Sequence, residues 1–296
     1  MNTSKINRRS VLKTVAAVGL VAPFVSGMSP ITAVAADEES FEYTPKGKIK
    51  QSVSKWCYGN QPLDKFIGIC KKLGMPGIDL IDESSWDLML KNDMVVTMGN
   101  MPGWGIPNGF NREKNHDKLV EDYGKWIPIA AEKKVPNLIC FSGNRQGISD
   151  EEGLEVCVKG LKRIAPIAEK HKVTICMELL NSKDHRDYQC DMTPWGGEMC
   201  RRVGSERIKV LYDIYHMQRM EGDIINMINQ YKDIIGHYHT GGNPGRSDID
   251  DSQELYYPAI MKAIQKTGYD GYVAHEFLPK NGIQSLRNAV EICDVV

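Results

Sequence analysis

After Lys48, short apolar runs alternate with longer amphipathic stretches, and the alternation repeats through eight cycles. Short apolar runs are typical of buried strands, whereas longer stretches with apolar residues three and four apart are typical of helices. The predicted strands span residues 51–58, 77–81, 94–98, 137–141, 173–177, 209–212, 235–239 and 272–275. The predicted helices span residues 63–73, 86–91, 117–134, 151–171, 194–203, 223–231, 257–267 and 284–296.

Eight strand–helix units in about 250 residues match the size and element order of a (β/α)8 TIM barrel. An open doubly wound sheet usually has fewer strands and a glycine-rich first turn, and no G-x-G-x-x-G motif follows the first predicted strand. No low-complexity segment interrupts the alternation. We therefore predict one α/β barrel domain over residues 47–296, preceded by an N-terminal linker at 36–46.

The near-neutral net charge of the chain argues against nucleic acid and membrane surfaces as partners. The chain carries 37 basic and 38 acidic side chains with 42% hydrophobic residues, as globular proteins commonly do. Near-neutral charge gives no basic footprint for nucleic acid or for a membrane surface. A DNA-repair endonuclease of related barrel type would also need several metal ions and more histidines than the seven present. We therefore expect no nucleic-acid partner.

Residues 1–35 have the pattern of an export signal. Paired Arg8 and Arg9 precede an apolar run over residues 15–25, and a small-x-small cleavage sequence ends at Ala35. The pattern resembles a twin-arginine signal, which a translocase reads and which is not an anchor. The apolar run is also too short to span a bilayer. We expect a periplasmic protein that meets the twin-arginine translocase during export and has no stable membrane anchor.

Eight cysteines are present, and none forms a C-x-x-C pair. Cys140 and Cys176 lie inside predicted strands, so buried free thiols are the expected state. A disulfide between Cys190 and Cys200 remains the alternative.

Each predicted strand of the second half is followed by, or ends on, a residue that can bind a metal ion. Strand ends at the C-terminal face of a TIM barrel converge on the active site. Taken singly, each residue has a simpler explanation, such as a helix N-cap or a core histidine. Three carboxylates and one imidazole together suit Mg²⁺, Mn²⁺ or a similar divalent ion with open positions for substrate. The predicted ligands of this one ion are Glu178, Asp213, His239 and Glu276.

His237 lies two residues before His239. Side chains two apart on a strand point to the same face, so His237 should lie one layer deeper in the barrel. It either orients a metal ligand through a hydrogen bond or fills the barrel interior.

Four segments resemble the xylose isomerase-like TIM barrels, and within them the hydroxypyruvate isomerases: M-E-L-L-N-S, Y-D-I-Y-H-M-Q-R-M-E-G-D, I-G-H-Y-H-T-G-G-N-P-G-R and G-Y-D-G-Y-V-A-H-E-F-L-P. The resemblance implies the same four metal ligands. It also implies that Glu178 and Glu276 act as acid and base and that His216 and Arg246 contact substrate oxygens. His239 stands where hydroxypyruvate isomerases usually have Gln, whereas related ketose 3-epimerases have His there.

The chemistry implied by this resemblance needs a metal ion. Moving a proton from a carbon beside a carbonyl to a carboxylate bridges about 15 pKa units, or roughly 20 kcal/mol. A positioned general base contributes about 10²- to 10⁴-fold, and a divalent ion stabilises the enediolate directly. We therefore predict a divalent-metal-dependent isomerase or epimerase that acts on a small sugar or keto acid through an enediolate.

Two alternative functions could use the same predicted metal ligands. A metal-dependent lyase or hydrolase would abstract the C2 proton of a 3-keto-glycoside and eliminate the group at C1. A noncatalytic sugar-binding protein would use the metal without turnover. Trp56, Trp104 and Trp195 lie near predicted strand-to-helix loops, where they either stack on a sugar ring or serve packing. The G-G-N-P-G-R turn either presents Arg246 to the substrate or is a plain surface turn.

Overall fold

The structure, a computed structural model, describes residues 41–296. The predicted export signal and the first part of the linker lie outside the described residues and stay predictions. The eight strands are β1 (Lys50–Val53), β2 (Gly77–Ile78), β3 (Val95–Val96), β4 (Asn137–Cys140), β5 (Thr174–Glu178), β6 (Ile208–Asp213), β7 (Ile235–Thr240) and β8 (Tyr272–His275). The helices are α1 (Leu63–Lys72), α2 (Trp86–Lys91), α3 (Glu113–Glu132), α4 (Asp150–His171), α5 (Thr193–Val203), α6 (Ile214–Met220), α7 (Ile224–Tyr231), α8 (Tyr257–Lys266) and α9 (Ile283–Cys293).

The strands form a parallel sheet that curls into a barrel. Six of them pair in the order β1-β8-β7-β6-β5-β4, and β2 pairs with β3. Single parallel bridges join the two sheets, from Ser54 to Asp79 on one side and from Gly99 to Leu138 on the other. The predicted TIM barrel is confirmed as a single α/β domain.

Local sequence explains where the helices begin and end. The Ser149 hydroxyl caps α4 by accepting a hydrogen bond from the Glu152 N–H at 3.1 Å. Three acidic residues occupy the first turn, where their negative charge interacts favourably with the helix dipole. Lys172 ends the same helix in the left-handed conformation, with φ of 57°. Strand β5 is buried along its whole length, as expected of a parallel strand covered on both faces.

Several sequence-based element assignments differ from the structure. The first predicted strand ran to Tyr58, but β1 ends at Val53 and a 3₁₀ helix occupies Lys55–Tyr58. The helix predicted to begin at residue 117 begins at Glu113. Helix α6, which begins immediately after Asp213 and is only seven residues long, was not predicted. The errors at β1 and α6 arise where the chain leaves a strand without a glycine or proline to mark the boundary.

All eight cysteines are free, and seven of them are buried. The expectation of buried free thiols is confirmed, and Cys190 and Cys200 do not form a disulfide. No helix within residues 41–296 combines the length and the apolar character that crossing a membrane requires.

Candidate metal-dependent active site

Strand alternation brings the four predicted ligands to one end of the barrel. Two residues before each predicted ligand, the chain has another buried side chain that points to the same face of its strand. The pairs are Cys176 and Glu178, Leu211 and Asp213, His237 and His239, and Ala274 and Glu276. Asp213 and His239 are also direct register partners on β6 and β7. The structure therefore brings all four side chains together, as the sequence pattern predicted.

Asp213 has two contacts that serve different purposes. Its Oδ1 accepts a hydrogen bond from the His216 N–H at 3.1 Å and so caps α6. Its Oδ2 accepts a hydrogen bond from Arg246 Nη2 at 2.7 Å. The N-cap and ligand explanations of this residue are compatible, because they use different carboxylate oxygens.

His239 lies between two carboxylates. Its Nε2 is 2.7 Å from Asp79 Oδ2, and its Nδ1 is 2.6 Å from Glu276 Oε2 and 3.9 Å from Asp213 Oδ2. Burial lowers the pKa of His239, but the charge of Glu276 and the contact with Asp79 raise it well above its ordinary value. The ring is therefore oriented with Nδ1 toward the other predicted ligands.

Asp79 was not predicted as a site residue from the sequence. This residue follows β2 in the short segment G-I-D-L and is fully buried. An acid after an apolar run was the available signal, because the same pattern marks Asp213.

Arg246 lies within the site and not on the surface. Its Nη2 donates to Asp213 and also contacts the Glu276 carboxylate, and its Nε donates to the Glu276 carbonyl oxygen at 3.0 Å. The turn before it places Arg246 at a φ of 51°. The guanidinium thus supplies a fixed positive charge beside two of the predicted ligands.

His216 lines the same cavity from the start of α6. Its Nδ1 accepts a hydrogen bond from the Asn181 backbone N–H at 3.1 Å, and Arg246 Nη1 lies 2.6 Å from its Nε2. Burial, together with the positive charge of Arg246, lowers the pKa of His216 well below its ordinary value. The imidazole is therefore neutral, and its ring borders the cavity.

The two glutamates differ in their affinity for protons. Burial and then the charge of Glu276 raise the pKa of Glu178 to about 8. Burial also acts to raise the pKa of Glu276, but Arg246 and His239 lower it well below its ordinary value. Trp56 Nε1 adds a hydrogen bond to Glu276 Oε1 at 2.5 Å. Carboxyl groups with such divergent pKa values are typical of acid–base pairs in active sites.

These residues fit a divalent cation. One donor atom from each of Glu178, Asp213, His239 and Glu276 can be chosen so that all four lie within 4.8 Å of one another, and all four residues are buried. His239 Nδ1 is buried without a partner in hydrogen-bond geometry, although Glu276 Oε2 is near. A buried, unsatisfied nitrogen beside three carboxylates is costly without a ligand. The donor set suits Mn²⁺ or Mg²⁺, with imidazole also acceptable to zinc.

A cavity of about 690 Å³ opens above these ligands. Its floor carries Glu178, His216, Arg246 and Glu276, and its wall is largely apolar, with contributions from Leu80, Ile106, Ile139, Phe141, Leu180 and Leu278. Small-molecule sites commonly occupy about 300–1,000 Å³, so this cavity accommodates a sugar-sized molecule.

Of the three tryptophans considered for stacking, Trp56 lines the cavity and is 47% exposed. Trp104 donates to Asp122 at 2.8 Å, and Trp195 donates to the Asp150 carbonyl oxygen at 3.0 Å. Both pack against the core outside the cavity.

His237 lies one layer below His239, and the two ring centroids are 5.3 Å apart. Its Nε2 is 3.0 Å from Asp79 Oδ1. His237 and His239 therefore approach the same carboxylate, that of Asp79, and His237 makes no hydrogen bond to any of the four predicted metal ligands.

Residues 60–293 match the xylose isomerase-like TIM barrel family, which is more than half of the chain. The chain belongs to that family. Among curated proteins it is 32% identical over 221 residues to the hydroxypyruvate isomerase of Escherichia coli strain K12, covering 70% of this chain and 84% of that protein.

Solved structures show the same fold at low identity. An AP endonuclease of family 2 from Brucella melitensis superposes with a TM-score of 0.73 at 19% identity, covering 80% of this chain and 96% of that one. The D-psicose 3-epimerase of Clostridium cellulolyticum H10, crystallised with D-tagatose, superposes with a TM-score of 0.69 at 17% identity. It covers 83% of this chain and 98% of that one.

Proposed function

We propose that this protein is a divalent-metal-dependent isomerase or epimerase that moves a proton beside a carbonyl group of a small sugar or keto acid. The observation that carries the proposal is the pair Glu178 and Glu276. Both carboxyl groups face one cavity beside the other two ligands, and their environments give them very different proton affinities.

Glu178, Asp213, His239 and Glu276 are the residues that would hold the ion. A bound divalent cation supplies electrostatic stabilisation of the negative charge that develops on the substrate oxygens. These four side chains come from four adjacent strands, so the barrel holds them at fixed positions without a mobile loop.

Glu178 is the group that takes up the proton more readily. Trp56 and Arg246 stabilise the charged form of Glu276 by hydrogen bonds, and among residues 41–296 no side chain does this for the Glu178 carboxylate. Return of the proton to the neighbouring carbon by Glu178 gives isomerisation. Delivery of a proton by Glu276 to the opposite face of the same carbon gives epimerisation.

His216 and Arg246 hold the substrate oxygens in this proposal. The neutral imidazole of His216 borders the cavity beside Arg246, and the guanidinium of Arg246 stabilises negative charge on an oxygen. The wall of the cavity offers apolar side chains to the substrate, together with the polar side chains of Asp184, His185 and Arg219.

The chain is an enzyme of the isomerase and epimerase class, since curated relatives include the hydroxypyruvate isomerase that is 32% identical to it. Hydroxypyruvate is therefore one candidate substrate. His239 favours a sugar, because the ketose 3-epimerases related to the hydroxypyruvate isomerases have His at this position.

Cavity size favours a second candidate, a lyase that acts on 3-keto-glycosides. A volume of about 690 Å³ corresponds to roughly twenty water molecules at about 30 Å³ each. A three-carbon keto acid would leave much of this space empty, whereas a glycoside would reach the apolar wall and Trp56. Proton abstraction by the same glutamate would then eliminate the group at the neighbouring carbon.

A substrate panel tests the proposal. Protein stripped with EDTA and reloaded with Mn²⁺ is incubated with hydroxypyruvate, ketohexoses and 3-keto-glucosides, and the products are identified by NMR. A metal-dependent isomer or epimer is the expected product, and an unsaturated sugar would establish the lyase. Tight sugar binding with no product from any compound would support the noncatalytic binding protein instead.

We also propose that residues 1–35 direct export to the periplasm through the twin-arginine translocase. Replacing Arg8 and Arg9 by lysine together should leave the protein in the cytoplasm. Periplasmic recovery of this double variant at the level of the parent would contradict the proposal.

A further inference from the structure

A buried carboxylate lies beneath the predicted metal ligands. Asp79 directly follows β2 and has no exposed surface. Its Oδ2 contacts His239 Nε2 at 2.7 Å, its Oδ1 lies 3.0 Å from His237 Nε2, and the Thr97 hydroxyl donates to Oδ1 at 2.6 Å. Three polar groups therefore converge on this single side chain.

The contact between Asp79 and His239 determines which ring nitrogen faces the predicted metal ligands. A carboxylate accepts and does not donate, so Nε2 carries the proton that bonds Asp79. Nδ1 is then the nitrogen directed at Glu276, 2.6 Å away, and it would give up its own proton on binding a metal ion. Ligating histidines commonly donate their second nitrogen to a carboxylate in this way, which fixes the ring and its tautomer.

We propose that Asp79 is a positioning residue that holds His239 in the Nε2–H tautomer with Nδ1 presented to the metal ion. This inference rests on the proposed metal-dependent function. Asp79 itself contacts neither substrate nor metal in this arrangement.

Asp79 is held in place from the first half of the barrel. The Thr97 hydroxyl that donates to it is also 3.1 Å from the Ser52 hydroxyl on β1. The Asp79 backbone N–H donates to the Val53 carbonyl oxygen at 2.8 Å. These contacts fix the carboxylate from both neighbouring strands, so it can orient His239 across the barrel.

A second cation site is the competing explanation, because Asp79, His237 and His239 also place donor atoms within 4.8 Å of one another. Both Asp79 oxygens already have hydrogen-bonding partners, since Thr97 donates to Oδ1 at 2.6 Å and His239 Nε2 lies against Oδ2. The 2.7 Å separation of Asp79 and His239 is that of a hydrogen bond. The geometry therefore favours positioning over a second ion.

Asp79→Asn is the test variant, because asparagine has the same shape but only one accepting oxygen. It cannot accept from His239 and from Thr97 through separate oxygens. Asp82→Asn is the matched control, since Asp82 lies three residues along and is exposed, with a hydrogen bond from Asn100 at 2.8 Å.

Mn²⁺ binding is titrated by calorimetry for the full chain and both variants. We expect one ion per chain and a dissociation constant about 10- to 100-fold weaker for Asp79→Asn, with Asp82→Asn unchanged. Equal affinity in Asp79→Asn and the parent would overturn the positioning role. Two ions in the parent and one in Asp79→Asn would also overturn it, because Asp79 would then be a ligand.

NMR of the parent protein gives a test that needs no substitution at position 79. In ¹⁵N-histidine-labelled protein loaded with Zn²⁺, His239 is assigned by comparison with His239→Gln. A protonated Nε2 that is protected from exchange is the expected result. A ring protonated at Nδ1 would refute the inference even if Asp79→Asn failed to fold. A parent that binds neither Mn²⁺ nor Zn²⁺ would remove the proposed metal function itself, which separates the two failures.

Discussion

The two halves of the barrel differ in both regularity and chemistry. Strands β5 to β8 are four to six residues long and pair in ladders, with one register shift between Val210 and Leu211, and the predicted metal ligands lie at or directly after their ends. Strands β2 and β3 have two residues each, and isolated bridges join them to their neighbours. The second half therefore holds the predicted ligands, whereas both halves contribute apolar side chains to the cavity wall.

The interior of the barrel does not follow this division. A small apolar cluster inside it combines Met98 and Ile139 of the first half with Cys176 and Leu211 of the second. The buried polar groups Asp79 and His237 likewise come from different halves. Asp79 therefore links the halves, because it comes from the irregular half and contacts a predicted ligand of the regular one.

Removal of a glutamate in the second half should have the largest effect. Glu178→Gln and Glu276→Gln each delete a proton-transferring group, and we expect kcat to fall by at least about 10²- to 10⁴-fold. Steady-state kinetics on the best substrate of the panel gives the measurement. Glu83 of the first half, which is half-buried and does not line the cavity, provides a control, since Glu83→Gln should retain full activity. Normal turnover in both site variants would place the chemistry elsewhere.

Metal removal should be the next largest effect. Bound at about 100 times its dissociation constant, an ion stabilises the folded state by about 2.7 kcal/mol. For a domain of this size that corresponds to a rise in Tm of about 5–10 °C. Thermal melts with EDTA and with Mn²⁺ measure the difference, and Asp213→Asn should reduce it. Identical melting with and without metal would count against a buried cation site.

Metal affinity should increase as pH rises. Burial and neighbouring charge raise the pKa of Glu178 to about 8, and burial raises that of Asp213 to about 6. Both carboxyl groups must lose protons to bind the ion, and so must His239, whose pKa is also raised, so affinity gains up to about tenfold per pH unit for each proton released. Calorimetric titrations from pH 5.5 to about 8.5 measure the slope, which should be shallower in Glu178→Gln. A pH-independent affinity would contradict the proposed ligands.

The folding stability of the metal-free protein should depend on pH in the opposite sense, because Glu178 and Asp213 stabilise the folded state less as pH rises. Their pKa values are raised above the ordinary 4.5 and 3.8, so the folded state binds protons more tightly than the unfolded one. The stability they contribute is present below their ordinary values and is lost as pH rises through about 6 and then about 8. Glu276, with a lowered pKa, contributes stability above 4.5 that is lost as pH falls.

The smallest effect should come from the cavity wall in the first half. Ile106→Ala removes apolar contact with the substrate, and we expect KM to rise about 3- to 10-fold with kcat and Mn²⁺ affinity unchanged. Ile225, which is 40% exposed on α7, gives a matched control through Ile225→Ala. A large loss of kcat in Ile106→Ala would show that the first half also takes part in the chemistry.

The regular half was also the half that sequence could predict. The strands β5 to β8 were placed within one or two residues, because their apolar runs are continuous and are followed closely by an ionisable residue. The four ligands follow from that pattern. In the first half, β2 and β3 are shorter than their apolar runs, because single bridges replace ladder pairing at their ends.

Asp79 could not be assigned from sequence for a physical reason. Its partner His239 is 160 residues away along the chain, and a lone acid after a short apolar run also fits a solvated loop. Only closure of the barrel brings the two together. Arg246 was identified as a site residue, but its contacts with Asp213 and Glu276 depend on a turn whose course the sequence does not specify.

The most direct test of the central claim is solvent exchange into substrate. Mn²⁺-loaded protein in D₂O is incubated with the substrate panel and followed by proton NMR, beside an EDTA-treated sample and Glu178→Gln. We predict deuterium at a carbon next to the carbonyl with the loaded protein alone. Product formation that continues without deuterium incorporation and is indifferent to EDTA would contradict metal-dependent proton transfer by these glutamates.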